Sequence, residues 1–154
     1  MKLKKWQTLG LWILGTVAAT YAMIYVDVVQ RAKESYLEGE KYWRWAEHPE
    51  ERAQILEQKL TSDKAALDRQ LTKGKITKED YDQDVNLLIF NHEQALRESS
   101  LKYAYTWYET AVEQFSPPES KWVKLAREKM PLAKERWKAE LRAKNIPFED
   151  YMID

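Results

Sequence analysis

Few residues in this chain could do chemistry, and those few are scattered. There is no cysteine, which excludes thiol catalysis, zinc–thiolate sites, disulfides and covalent haem attachment. The two histidines are His48 and His92. A di-iron carboxylate bundle needs Glu-x-x-His pairs on facing helices, but the residues three before these histidines are Trp45 and Ile89. The serines fall in caps, turns or helix interiors without a nucleophile motif, and no glycine-rich phosphate loop occurs. His92 lies on an apolar helical line, the place of a satisfied core or boundary side chain, and His48 precedes Pro49 at a helix junction. Neutral imidazoles among aromatic rings could hold a haem or chlorin non-covalently, yet no surrounding pattern specifies one. The sequence therefore predicts no catalytic residue, no metal ligand, no cofactor and no enzyme.

What it specifies is an element with a physical purpose. Trp6 to Val26 reads WQTLGLWILGTVAATYAMIYV, 21 residues without a charge between Lys5 and Asp27. At ~1.5 Å per residue such a helix is about 31 Å long, which matches the ~30 Å hydrocarbon core of a bilayer. Trp6 at one end and Tyr21 and Tyr25 near the other suit the headgroup zones. Leu9, Leu11, Trp12, Ile13, Leu14 and Ile24 supply the apolar surface of an anchor. Gly10, Gly15, Ala18, Ala19 and Ala22 offer places where another helix can pack closely. Lys2, Lys4 and Lys5 before an apolar run also describe a secretory signal, but this run exceeds the usual ~7–15-residue apolar region, so the expectation is a retained signal-anchor. The lysines place the N-terminus in the cytoplasm by the positive-inside tendency. The remainder then lies in the periplasm, or an equivalent lumen or intermembrane space, beside the inner membrane.

Residues 27–154 make one domain at most. Without Lys2, Lys4 and Lys5 the chain has 22 basic and 25 acidic side chains, a balance that argues against nucleic acid and against an anionic lipid surface as partners. Four glycines and five prolines, with charged and apolar residues alternating at helical spacing, predict an all-α fold. Seven tryptophans and nine tyrosines serve either as core filler or as interface anchors.

Positions Val29, Ala32, Tyr36, Gly39, Trp43 and Ala46 continue a helical stripe from Tyr25, so the first helix is expected to leave the membrane as a stalk reaching Glu47. Gly39 would permit close approach of another backbone. Trp43 and Trp45 face different ways, so at least one of them leaves the stripe. Pro49, Glu50 and Glu51 start a second helix over 49–73, with an apolar line at Ala53, Leu56, Leu60, Leu67 and Leu71 and a left-handed cap at Gly74. Thr77 with Asp80 forms a near capping box for a third helix over 78–115. Ser116-Pro117-Pro118 turns the chain into a fourth helix over 119–144, whose stripe is Trp122, Ala126, Met130, Ala133, Trp137 and Leu141. Pro131 inside it predicts a kink or break near Lys129.

Two stretches resemble known helical units. Leu71 to Tyr81, a glycine turn followed by a threonine cap, resembles the helix-turn-helix of short bacterial modules of the SHOCT type, which implies a hairpin. Ala104, Tyr108, Ala111 and Phe115 followed by Pro117 resemble the second helix of a tetratricopeptide repeat. Trp122-x-x-Leu125-Ala126 resembles the first helix of the next repeat, at a period of about 34. Over 85–130 this implies a repeat-like hairpin. Lys138 and Arg142 stand where the pattern requires small and aromatic residues.

The tail 145–154, with Ile146, Phe148, Tyr151, Met152 and Ile153 among acidic residues, reads as a docking segment. The expectation is a single-pass accessory or scaffold subunit of a larger membrane complex, of respiratory, photosynthetic or secretion type. Other membrane subunits and the bilayer would be its partners, with contacts at Trp43, Trp45, Trp107, Tyr108, Trp122, Phe148 and Tyr151. The alternatives are a membrane-tethered peptide-binding module, whose groove would display Trp107, Tyr108 and Trp122 to solvent, and a haem- or pigment-binding subunit.

Overall fold

A computed structural model describes residues 5–149 and Ile153, apart from the side chains of Lys5, Gln7 and Thr8. Lys2, Lys4, Tyr151 and Met152 lie outside the described residues. Five helices account for the regular structure of the described chain: α1 (Lys5–Glu47), α2 (Pro49–Thr72), α3 (Lys78–Arg97), α4 (Ser100–Glu113) and α5 (Lys121–Ala143). The fold is all-α, with a long apolar N-terminal helix and no sheet among the described residues.

Local chemistry sets most of the boundaries. Pro49 sits in the first turn of α2, where its missing N–H costs no hydrogen bond, and Glu50 and Glu51 face the positive end of the helix dipole. At the other end Gly74 takes φ +64°. Its N–H donates to the Leu71 carbonyl and the Lys75 N–H to the Gln70 carbonyl, each at 2.9 Å, which closes the last turn as a Schellman motif. A complete capping box starts α3: the Asp80 N–H donates to Thr77 Oγ1 at 3.1 Å and the Thr77 N–H to Asp80 Oδ2 at 3.2 Å. Ser120 caps α5 through the Val123 N–H at 3.3 Å, and Asn145 at φ 53° ends it with the same pattern as Gly74.

Two expectations need correction. The single helix over 78–115 is two helices, because Glu98 adopts ψ 143° and Ser99 starts α4 as an N-cap. Tertiary contacts hold this break open. Arg52 of α2 donates to the carbonyls of Ala95 and Glu98, and to Ser100 Oγ at 2.7 Å. Ser99 Oγ donates to Glu140 of α5. Of the kink or break expected near Lys129, the break does not occur, and α5 runs through Pro131. Pro131 is on the exposed side of α5, while Ala126 and Ala133 on the other side are pressed into the core, so packing holds the helix together across the proline.

The core lies between the second half of α1 and helices α4 and α5. Ala32, Ala104, Tyr108, Ala111, Val123, Ala126 and Ala133 are completely buried, and Tyr36, Tyr42, Trp43, Met130 and Trp137 pack around them. Alanines let the helix axes approach, and rings fill the space between them. Gly39 is part of this arrangement: a Cβ built there would sit 2.5 Å from Cε1 of Tyr108. A ring, rather than the expected backbone, makes use of the missing side chain. Helices α2 and α3 pair with each other and touch the bundle only where α1 meets α2 and at the Arg52 joint.

Candidate functional site

The apolar part of α1 is the first candidate. Trp6, Leu9, Leu11, Trp12, Ile13, Leu14, Tyr21, Ile24 and Tyr25 are all exposed, from 47% at Tyr25 to 85% at Trp6. A Cβ added at Gly10 or Gly15 would meet no atom within 4 Å, and Ala18, Ala19 and Ala22 are equally open. Leu11, Trp12, Gly15, Thr16 and Ala19 line a shallow groove on this surface. The Thr16 hydroxyl donates back to the Trp12 carbonyl at 2.9 Å, so it carries no unmet donor into an apolar medium. A helix this apolar with no face covered by its own chain is long enough to cross a membrane, and a signal sequence has the same form.

The aromatic residues form the second candidate. Tyr108 is not at a surface: it is completely buried, and its hydroxyl donates to Glu40 Oε1 at 2.6 Å. Burial first, and then the Glu40 carboxylate, push this phenol's pKa well up. An open groove built on Trp107, Tyr108 and Trp122 is therefore overturned at its middle residue. Tyr36 lies between the other two partners, with ring centroids 5.9 Å from Tyr108 and 5.8 Å from Trp122. Trp122 is half-buried, with Lys33 and Lys121 near its ring. Trp107 and Phe115 of the α4 end line a groove against Arg31, Leu37 and Glu38 of α1.

Trp43 and Trp45 flank the elbow between α1 and α2. Trp43 packs on the core cluster under the Arg136 guanidinium, 4.4 Å from its ring, and Lys129, 4.9 Å away. Its indole N–H donates to Glu47 at 3.1 Å. Trp45 meets Tyr42 edge-on at 5.1 Å under Lys41. Between the two helices a cleft is lined by Trp43, Arg44, Trp45, Glu51, Ile55 and Lys129. Arg44 donates to Glu51 at 2.8 Å, and this bond holds the Glu51 carboxyl below the usual carboxylate range. In the tail, Phe148 is half-buried under Arg142, and Ile153 is buried.

The histidines do not converge on one site. His48 is at the elbow, 54% exposed, with Nδ1 3.4 Å from Glu50. His92 faces the α2–α3 seam; its Nε2 is 3.4 Å from Glu57, and its Nδ1 is buried without a hydrogen-bond partner. The adjoining cavity of about 120 Å³ is lined by Leu56, Leu60, Asp63, Leu88 and Asn91. Small-molecule sites occupy roughly 300–1,000 Å³, so this space does not fit a tetrapyrrole. Among the described residues no three histidine or carboxylate side chains gather as a metal site.

Sequence reasoning missed Arg52. It is 8% exposed and ties the end of α3 to the start of α4. An arginine between two glutamates and an alanine on a helix carries no signal of its own. Its only sequence counterpart is the Ser99-Ser100 pair where the two helices meet. Compared with known protein families, curated proteins and solved structures, the chain matches none.

Proposed function

We propose that this chain is a single-pass accessory subunit of a larger membrane assembly, of respiratory, photosynthetic or secretion type. The apolar half of α1 is its anchor. The bundle is an extracytoplasmic part that stabilises or docks the assembly, with the N-terminus in the cytoplasm. The observation that carries this reading is the change of character along one unbroken helix. From Trp6 to Val26 every described side chain of α1 is exposed and almost all are apolar, whereas from Ala32 one face is buried against α4 and α5. Water penalises the first half at roughly 25 cal/mol per Å² of apolar surface, and a bilayer or a partner helix removes that cost.

Trp43, Trp45, Trp107, Trp122 and Phe148 are the aromatic contacts that remain partly open for neighbouring subunits. The test is purification of the chain from its native membrane in mild detergent, with mass spectrometry of what comes with it. A stoichiometric set of membrane subunits is the expected result. A chain that fractionates with the soluble proteins, or runs as a lone species from membranes, overturns the reading.

A further inference from the structure

We propose that α3 carries a self-complementary surface through which two copies of this chain pair antiparallel. Among the described helices α3 packs only on α2, and it does so through Tyr81, Val85, Leu88, His92 and Ala95. The opposite face is wholly exposed. There Asp80, Gln83, Leu87, Phe90, Gln94 and Arg97 recur at alternating steps of three and four, the spacing of a coiled-coil seam. Leu87 and Phe90 at its centre are each 56% exposed. The outer face of α2 is different: its one exposed large apolar side chain is Ile55, beside the elbow.

The order of residues along this face identifies the occupant. In an antiparallel pair of identical helices, each seam position meets the position equally far from the midpoint on the other copy. Leu87 then meets Phe90, Gln83 meets Gln94, and Asp80 meets Arg97, each pair occurring twice about the two-fold axis. The apolar layer is central, the amides flank it and can hydrogen-bond across, and opposite charges close both ends. The flanking positions agree: Asp84 comes opposite Asn91, and Asn86 opposite Glu93, so no like charges meet. A parallel pairing would put Asp80 on Asp80 and Arg97 on Arg97, which repel. The seam is under three heptads long, about 25 Å at ~1.5 Å per residue, so the dimer is weak in dilute solution. A shared membrane would strengthen it by raising local concentration. The surface is on the hairpin, away from the apolar half of α1, so the inference stands whether or not that segment is an anchor.

The absence of cysteine makes a clean experiment possible on the full chain in detergent. Gln83→Cys and Gln94→Cys proteins are prepared separately and treated with a short bifunctional thiol reagent, alone and mixed. Across an antiparallel seam these two positions are adjacent, whereas identical positions lie about 16 Å apart along the axis. The mixture should therefore give several-fold more cross-linked dimer than either protein alone. Leu87→Asp in both partners should abolish the link while circular dichroism keeps its helical signal. Three outcomes overturn the proposal: a monomeric chain with no cross-link, which leaves Leu87 and Phe90 to a different subunit or to lipid; self-linking of Gln83→Cys equal to the mixture, which signals parallel or random contact; and cross-linking that survives Leu87→Asp.

Discussion

In the bundle, Ala104, Tyr108, Ala111, Ala126 and Ala133 have no exposed surface; in the α2–α3 hairpin the buried residue is Arg52, and α3 has none. Both regions carry apolar residues at the same helical spacing. The difference is the number of neighbours. Two cylinders touch along a line, so Leu56, Leu60, Leu67, Val85 and Leu88 are covered on one side only. Three helices enclose a volume, and there alanines and rings can lose all contact with water. Burying a large apolar side chain fully is worth about 1.5–3 kcal/mol, and the bundle collects that gain repeatedly. The hairpin depends on half-burial, its caps and one arginine.

The strongest way to break this contrast is to empty the bundle. Tyr108→Ala removes a completely buried ring and leaves Glu40 without its phenol partner. The expected loss is about 4 kcal/mol, read by denaturant unfolding of the full chain in detergent. Next comes the joint. Arg52→Met leaves two carbonyls and the Ser100 hydroxyl without their donor and should cost about 2 kcal/mol. The cost should appear as faster amide exchange in α2 and α3, with protection in α4 and α5 unchanged. Equal loss in both regions would make them one cooperative unit and end the comparison. Smaller again is Gly39→Ala, where the added methyl must displace the Tyr108 ring; about 1.5 kcal/mol of destabilisation is expected from overpacking. Gly10→Ala, with open space around it, should leave the unfolding midpoint of the domain in place.

The comparison can also be sharpened by a pH dependence at the joint. Tyr103 of α4 donates its hydroxyl to Glu98 and stacks on Tyr42 of α1 at 4.9 Å. The Glu98 carboxylate, and then burial, push its pKa up to about 12. Because the folded phenol holds its proton more tightly than the unfolded one, its stabilising contribution is complete below pH ~10. That contribution is lost as pH rises from there towards 12. Stability measured across this window should fall, and Tyr103→Phe should flatten the slope. An unchanged slope in the variant would remove Tyr103 from the joint.

Local signals in the sequence were enough to place most helix ends. Pro49, the Thr77–Asp80 pair, Gly74 and Asn145 act within a few residues of themselves, so their effects can be read without the fold. The α3–α4 break could not be read this way, because the Arg52 side chain that satisfies the freed carbonyls comes from 43 to 48 positions away. Continuity through Pro131 was hidden for a related reason: the tendency to break is local, while the packing that resists it is tertiary. Among the site residues, a helical stripe shows that Tyr108 faces something but not whether that something is protein or solvent. Burial of Tyr108 depends on Gly39, 69 residues earlier, and on α5 closing the third side.

Helix α1 joins its two halves without an interruption, and only Asp27 to Arg31 separate Val26 from the first buried residue, Ala32. The small-residue groove at Gly15 and Ala19 and the faces of the bundle therefore keep a fixed phase about one axis. Each residue added to that short interval would rotate the domain by about 100° and lift it by about 1.5 Å. Seven added residues would restore the azimuth to within about 20° at a new height. The chain thus encodes, in the number of residues between two landmarks, the compass direction in which its domain faces.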